Sequence, residues 1–134
     1  MIQNKIVVHY QDGRINKGMS SDFSANKDLF HLSPVNALPE TKPIKVYINE
    51  LKAVFFVKTF EGNREYKDKK EFEADETVSG RKIRVFFKDG EVLIGTTHGY
   101  QPDRPGFFVH IADPQSNNER CFVISAATQE VSLI

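Results

Sequence analysis

The sequence predicts an all-β protein with minor helical content, built as a tandem duplication of a small five-stranded barrel or bent sheet. Three observations lead to this prediction. Short segments alternate apolar and polar residues with the period of a β-strand, Asp-Gly pairs follow two of these segments, and a stretch of 28 residues recurs without a gap 77 positions later. We expect the two copies to pack as one pseudo-twofold body, because units of about 60 residues are marginally stable alone.

The repeat relates residues 5–32 to residues 82–109. Both segments begin Lys-Ile-x-Val, and both place Asp-Gly at the same distance from that start. Seven positions are identical in the two copies: Lys5/Lys82, Ile6/Ile83, Val8/Val85, Asp12/Asp89, Gly13/Gly90, Gly18/Gly95 and Phe30/Phe107.

Each copy begins with a predicted β-hairpin. Apolar residues alternate up to Tyr10 in the first copy and up to Phe87 in the second, which predicts a strand with one buried face. The Asp-Gly pairs tolerate the positive φ angles of a tight turn. Gly18 and Gly95 then lie inside the second strands, where they predict a bulge or a sharp bend.

Each copy is expected to continue with three more strands. A third strand carries Phe30 in the first copy and Phe107 in the second. The tails KVYINELKAVFFV and RCFVISAATQEVSLI then each predict a strand, a brief helical or turn-like break, and a final strand. Aligning the two tails requires a gap of one residue, which matches Val46 with Phe122.

A charged connector separates the copies. Residues 60–80 contain 11 charged side chains of both signs in 21 positions, which is typical of a solvated surface segment. The predicted organisation is a first β unit over residues 1–58, a linker over 59–80 and a second unit over 81–134. A single small unit has little room to enclose all of the aromatic side chains. Four of them therefore predict a hydrophobic seam, a contact surface between the two halves: Phe55, Phe56, Phe86 and Phe108.

Composition limits the classes of function. Lys plus Arg equals Asp plus Glu at 18 each, which disfavours nucleic acid as a partner without excluding it. No apolar run is long enough to span a membrane, and the polar start lacks the apolar core of a signal peptide. These observations predict a cytoplasmic protein that has no membrane contact and whose partner is another protein.

No motif predicts catalysis, a cofactor or a metal site. The four histidines lack the close spacing of zinc ligands, and no phosphate loop or nucleophile elbow is present. Cys121, in the run Cys-Phe-Val-Ile, is expected to pack as a small apolar residue. The residue pattern therefore favours a protein that is not an enzyme.

The segment His98–Phe108 is the most unusual stretch, because its prolines and glycines predict a defined loop. Such a loop would present Tyr100 and Arg104 for recognition of an anion or a protein partner. In the alternative, Arg104 pairs with a nearby aspartate and Tyr100 plugs the end of the barrel. The candidate ligand-binding residues are Tyr100, Arg104, Asn117, Asn118 and Arg120.

Segments of both copies also resemble known families, and the second copy carries the most extensive of these resemblances. The stretches FKDGEVLIGTTHGY, DRPGFF and SNNERCFV resemble a family of uncharacterised bacterial proteins, a domain of unknown function. At fold level, a glycine followed five residues later by an aromatic residue, as in Gly18 with Phe23 and Gly95 with Tyr100, is similar to Sm-like barrels and implies an SH3/Sm-like fold. Asp22-Phe23-Ser24 resembles a short segment of PilZ domains, which bind a cyclic dinucleotide.

Two functions follow as expectations. The preferred one is a non-catalytic binding or adaptor module of unknown ligand, which acts through loop surfaces or through sheet edges that accept another strand. The alternative, implied by the Sm-like and PilZ-like resemblances, is a nucleic-acid- or nucleotide-binding regulatory domain.

Overall fold

The chain folds almost entirely into β-strands. The structure, a computed structural model, describes residues 3–35, 38, 41–61, 80–113 and 116–134. Within these ranges it contains ten strands: β1 Asn4–Tyr10, β2 Ile15–Ser20, β3 Leu29–Pro34, β4 Ile44–Tyr47, β5 Leu51–Val57, β6 Arg81–Phe87, β7 Val92–Thr97, β8 Gly106–Ile111, β9 Asn118–Ile124 and β10 Thr128–Leu133. Single 3-10 turns at Ile48–Glu50 and Ser125–Ala127 precede β5 and β10. The prediction of an all-β protein with minor helix is confirmed.

All ten strands form one open antiparallel sheet in the order β10-β6-β7-β8-β9-β5-β1-β2-β3-β4. The first half of the chain contributes the run β5-β1-β2-β3-β4, and the second half contributes β10-β6-β7-β8-β9. The two runs join where β5 pairs with β9. Strands β4 and β10 are therefore the outer edges of the sheet.

The two halves share the same strand register. Each pairing within the first half recurs in the second half after adding 77 to both residue numbers, including the pairings of the last strands. Examples are Ile6↔Gly18 and Ile83↔Gly95, Phe30↔Val46 and Phe107↔Val123, and Phe56↔Ile6 and Leu133↔Ile83.

The one-residue gap predicted between the two tails is wrong. Phe30 pairs with Val46, and its equivalent Phe107 pairs with Val123, so Val46 corresponds to Val123 and not to Phe122. The run from Cys121 to Ile124 is buried on both faces of its strand. Its apolar pattern therefore does not reveal which residues point to which side.

The predicted hairpins are present. Gly13 and Gly90 both adopt a φ of 96°, a left-handed conformation that suits glycine. The side chains of Asp12 and Asp89 each accept a hydrogen bond at 3.0 Å from the backbone N–H two residues later. The turns thus form as the Asp-Gly pairs predict.

Gly18 and Gly95 permit a close approach between strands. A Cβ atom at Gly18 would overlap the backbone oxygen of Ser33, and one at Gly95 would overlap that of His110. At these points β2 meets β3, and β7 meets β8, over only two residue pairs. A short, close pairing of this kind lets the sheet bend sharply.

Two hydrophobic clusters lie on opposite faces of β5 and β9. Alternate residues of β5 point to different clusters, since Val54 and Phe56 belong to the first and Ala53, Phe55 and Val57 to the second. On β9 the same division holds, with Phe122 and Ile124 in the first cluster and Cys121 and Val123 in the second. Each half thus completes its core with side chains from the other half.

The seam uses three of the four aromatic residues predicted for it. Phe55 and Phe56 pair with β9 and are each 5% exposed, and Phe108 packs against the first cluster. Phe86 is half-buried and lies in neither cluster.

The expected pseudo-twofold arrangement is wrong. A twofold axis would bring the same strand of each half to the junction. Instead β5 of the first half meets β9, the equivalent of β4, so the halves are joined head to tail. The likeness of the two sequences determines each half's fold, but the docking of the halves depends on residues that differ between them.

The predicted charged linker over residues 59–80 lies largely outside the described residues. The boundaries of the units therefore remain predictions. None of the helical segments that the structure describes is long and apolar enough to cross a membrane.

Candidate functional site

A cleft of about 500 Å³ lies beside the seam. It is bordered by β7, β8, β9 and the loop between β7 and β8, with one contribution from Ala25 of the first half. Its polar lining consists of Thr97, His98, Gln101, Arg104, His110 and Arg120. No described residue that lines it is acidic.

Arg120 is held by aromatic rings. Its guanidinium carbon lies 4.3 Å from the ring centre of Phe56 and 5.1 Å from that of Phe108. No hydrogen bond or ion pair involves its side chain among the described residues. These two ring contacts hold the guanidinium in place, and its N–H groups stay available to an oxyanion.

Arg104 lies in a loop with defined internal contacts. Its Nε donates a hydrogen bond to Oε1 of Gln101 at 2.8 Å, and its backbone oxygen accepts one from Oγ of Ser125 at 2.8 Å. The backbone N–H of Ser125 also donates to the oxygen of Pro105. These contacts fasten the loop to the 3-10 turn before β10, so Arg104 and Arg120 line one cleft on a fixed frame.

Tyr100 packs into the fold. Its ring meets that of Phe107 edge to face, with centres 4.7 Å apart, and it adds to the second hydrophobic cluster. Its equivalent in the first half, Phe23, packs in the same way against the first cluster. Tyr100 is not among the residues that line the cleft.

Asn117 and Asn118 lie apart from the two arginines, in a second cleft of about 290 Å³. The Oδ1 of Asn117 accepts hydrogen bonds from the backbone N–H and the hydroxyl of Thr59, at 3.0 and 3.2 Å. Its Nδ2 donates to the oxygen of Thr59 at 2.9 Å. Asn117 therefore anchors the segment that follows β5, and the predicted recognition set divides between two clefts.

The sequence profile of one protein family matches residues 2–134, nearly the whole chain. The chain belongs to DUF6982, a family of unknown function. The resemblance to a domain of unknown function is thereby confirmed. No curated protein and no solved structure matches the chain.

His98 and His110 also line the cleft of this DUF6982 chain, although neither is among the candidate ligand-binding residues that the sequence predicts. The rings of His98 and His110 lie 5.9 Å apart, because Thr96 pairs with His110 across β7 and β8. The register of the predicted strands after Gly95 could have revealed this proximity. Within the described ranges, no three His, Cys, Asp or Glu side chains are grouped so as to hold a metal ion.

The second cleft of the DUF6982 chain has a mixed lining. It contains Lys17, Glu61 and Glu91 together with His9, whose ring meets that of Phe55 at 4.8 Å. Burial, aided by the charge of Lys52, lowers the pKa of His9. His9 is therefore neutral near pH 7, and the opposite charges around it give the cleft no net preference for an anion.

Cys121 has no access to solvent. It is fully buried in the second cluster, and this burial raises the pKa of its thiol well above the ordinary value. A thiol of this kind is not a nucleophile at neutral pH.

Proposed function

We propose that this chain is a non-catalytic binding module that holds an anionic group of a protein partner in the cleft of Arg104 and Arg120. The observation that carries the proposal is the stacked guanidinium of Arg120, whose donors have no acceptor in the described part of the chain. Organising these donors before binding lowers the entropy cost of holding a carboxylate or phosphate.

The charge of the cleft supports the same assignment. Two arginines line it and no acidic side chain from the described residues does, although the whole chain carries 18 residues of each sign. A local positive site on a neutral protein selects a partner's acidic or phosphorylated segment and has little attraction for a polyanion at long range.

The alternative is a nucleotide- or nucleic-acid-binding regulator of the Sm-like or PilZ-like type. Base recognition on single strands usually relies on aromatic rings with a free face. Arg120 lies over the rings of Phe56 and Phe108, and the other two phenylalanines that line the cleft, Phe107 and Phe122, are 4% and 2% exposed. The geometry therefore favours the protein partner.

We also infer that the two halves are duplicated SH3/Sm-like barrels, in a cytoplasmic protein of bacterial type. The common register over all five strands of each half, the 3-10 turn before each last strand, and one hydrophobic cluster per half support the duplication. The cleft lies where the copies differ, because Lys27 and Pro43 occupy the positions equivalent to Arg104 and Arg120.

The test is a titration followed by NMR at constant ionic strength. The probes are inorganic phosphate, a hexapeptide of glutamate and a phosphoserine hexapeptide. With the peptides, we expect saturable chemical-shift changes at the side-chain Nε–Hε groups of Arg104 and Arg120. Arg120→Met should bind the peptides at least tenfold more weakly, because it loses one charge-assisted contact. Arg81→Met, which removes an exposed arginine of β6 outside the cleft, is the control and should bind as the wild type does.

Shifts that do not saturate, or binding that Arg120→Met leaves unchanged, would refute the proposed site. Tighter binding of a cyclic dinucleotide or an RNA oligonucleotide than of either peptide would instead favour the regulatory alternative.

A further inference from the structure

Within the part of the chain that the structure describes, the β10 edge of the sheet has unpaired backbone groups. The N–H of Ile134 donates to the oxygen of Lys82 at 2.9 Å, which sets the alternation along the strand. The backbone groups of Glu130, Ser132 and Ile134 thus point to β6, and those of Val131 and Leu133 point outward. No described strand pairs with this side of β10.

This edge has little of the protection that edge strands usually carry, because its one charged residue is Glu130 and its register shift against β6, between Thr128 and Glu130, precedes the outward-facing Val131 and Leu133. Residues 128–134, TQEVSLI, contain neither lysine nor proline, and Leu133 and Ile134 are 39% and 52% exposed. The opposite edge differs, because Pro43 precedes β4 and Lys45 lies within it. The β4 edge is therefore better protected against pairing with another strand than the end of β10 is.

Pairing of β10 with β4 of another copy would repeat the head-to-tail junction, but the residues do not suit it. The common offset of 77 would place Leu133 opposite Pro43, which has no N–H to donate on the outward side. It would also place Val131 opposite Lys45, where the internal junction has Val54 opposite Phe122.

We propose that β10 pairs antiparallel with β10 of a second copy, about a twofold axis through Ser132. In this register Val131 faces Leu133 of the partner copy, and both residues point their backbone groups outward, so each facing pair forms two hydrogen bonds. Glu130 faces Ile134, so no like charges oppose each other. The second cluster, to which Val131 already adds, would then continue across the axis.

The most direct test is oxidative cross-linking of Ser132→Cys with diamide, which accepts the two electrons and two protons released as two thiols form a disulfide. In the proposed dimer, Ser132 faces Ser132 of the second copy. This pair has no backbone hydrogen bonds, and in such pairs the side chains lie closest. We expect a covalent dimer. The wild type, whose only cysteine is buried, and Lys45→Cys on the β4 edge should remain uncrosslinked.

A monomeric Ser132→Cys protein would overturn the proposal. Cross-linking that occurs only in a chain carrying both Ser132→Cys and Ile44→Cys would also overturn it, in favour of the head-to-tail arrangement.

Light scattering provides the second measurement. The wild type should have twice the mass of the chain at about 100 μM, a concentration at which a dimer with a dissociation constant well below this value is fully populated. Leu133→Pro removes two of the four hydrogen bonds between copies and none to β6, so dimerisation should weaken by about tenfold or more. A wild type that is monomeric, or a Leu133→Pro protein that dimerises equally well, would contradict the pairing.

Discussion

Lys52 connects the two halves electrostatically. Its Nζ lies 2.7 Å from Oδ2 of Asp89, also bonds Oε1 of Glu91, and lies 4.7 Å from the ring centre of Phe87. Burial lowers the pKa of Lys52, but the two carboxylates raise it more, so the net shift is upward. The hydrogen bond from Lys52 likewise lowers the pKa of Asp89.

We predict that Lys52→Met destabilises the protein at pH 7 by about 1 kcal/mol, a modest value because both carboxylates are half exposed and water screens them. A carboxylate whose pKa is lowered in the folded state stabilises the fold at pH values above its unfolded-state pKa of about 3.9. This stabilisation is lost as the pH falls through the folded-state pKa. The raised pKa of Lys52 keeps its charge in place until strongly alkaline pH. The difference from wild type should therefore be constant near neutrality and shrink below about pH 4.

Urea unfolding at pH 7 and pH 3 measures this difference. Lys88→Met, at an exposed lysine in the adjacent turn, is the control and should change stability little at either pH. A difference for Lys52→Met that is as large at pH 3 as at pH 7 would contradict the ion-pair account.

At the next scale, β5 and β9 differ from the other strands in having two buried faces. Their runs AVFFV and CFVI are continuously apolar, whereas the first strand of each half alternates. This difference is visible in the sequence, where the aromatic residues of these runs predict a seam but do not indicate which strands pair. The same continuity concealed the register of β9 and produced the mistaken gap.

Phe55 belongs to the first half by sequence, but it should stabilise the second half, whose hydrophobic cluster it joins. We predict that Phe55→Ala lowers the free energy of unfolding by about 3 kcal/mol, the usual cost of removing a buried aromatic ring. Phe86→Ala, a half-buried phenylalanine outside both clusters, should cost about 1 kcal/mol. Denaturant unfolding followed by circular dichroism measures both values.

The loss in Phe55→Ala should be cooperative. Hydrogen exchange should show that amides of β6 and β7 lose protection together with those of β1. Loss confined to the first half would contradict the shared seam.

For the molecule as a whole, the strands and hairpins could be predicted because their signals are local: alternation, Asp-Gly turns and a repeat without gaps. The head-to-tail docking could not, because it depends on side chains that the repeat does not share, such as Arg120 and Phe122 in place of Pro43 and Lys45. The cleft was anticipated only by the choice of Arg104 and Arg120. Its histidines come together through pairing across β7 and β8, which the sequence indicates only through the register of the strands after Gly95.

The central claim is that both halves have one register and meet where β5 pairs with β9. The most direct test is the nuclear Overhauser effect between the Hα protons of Phe55 and Cys121, which face each other in a pair without backbone hydrogen bonds. The account predicts a strong cross-peak and slowly exchanging amides at Val54 and Phe56. Absence of the cross-peak together with rapid exchange of those amides would mean that the halves do not share a sheet, and would contradict the account.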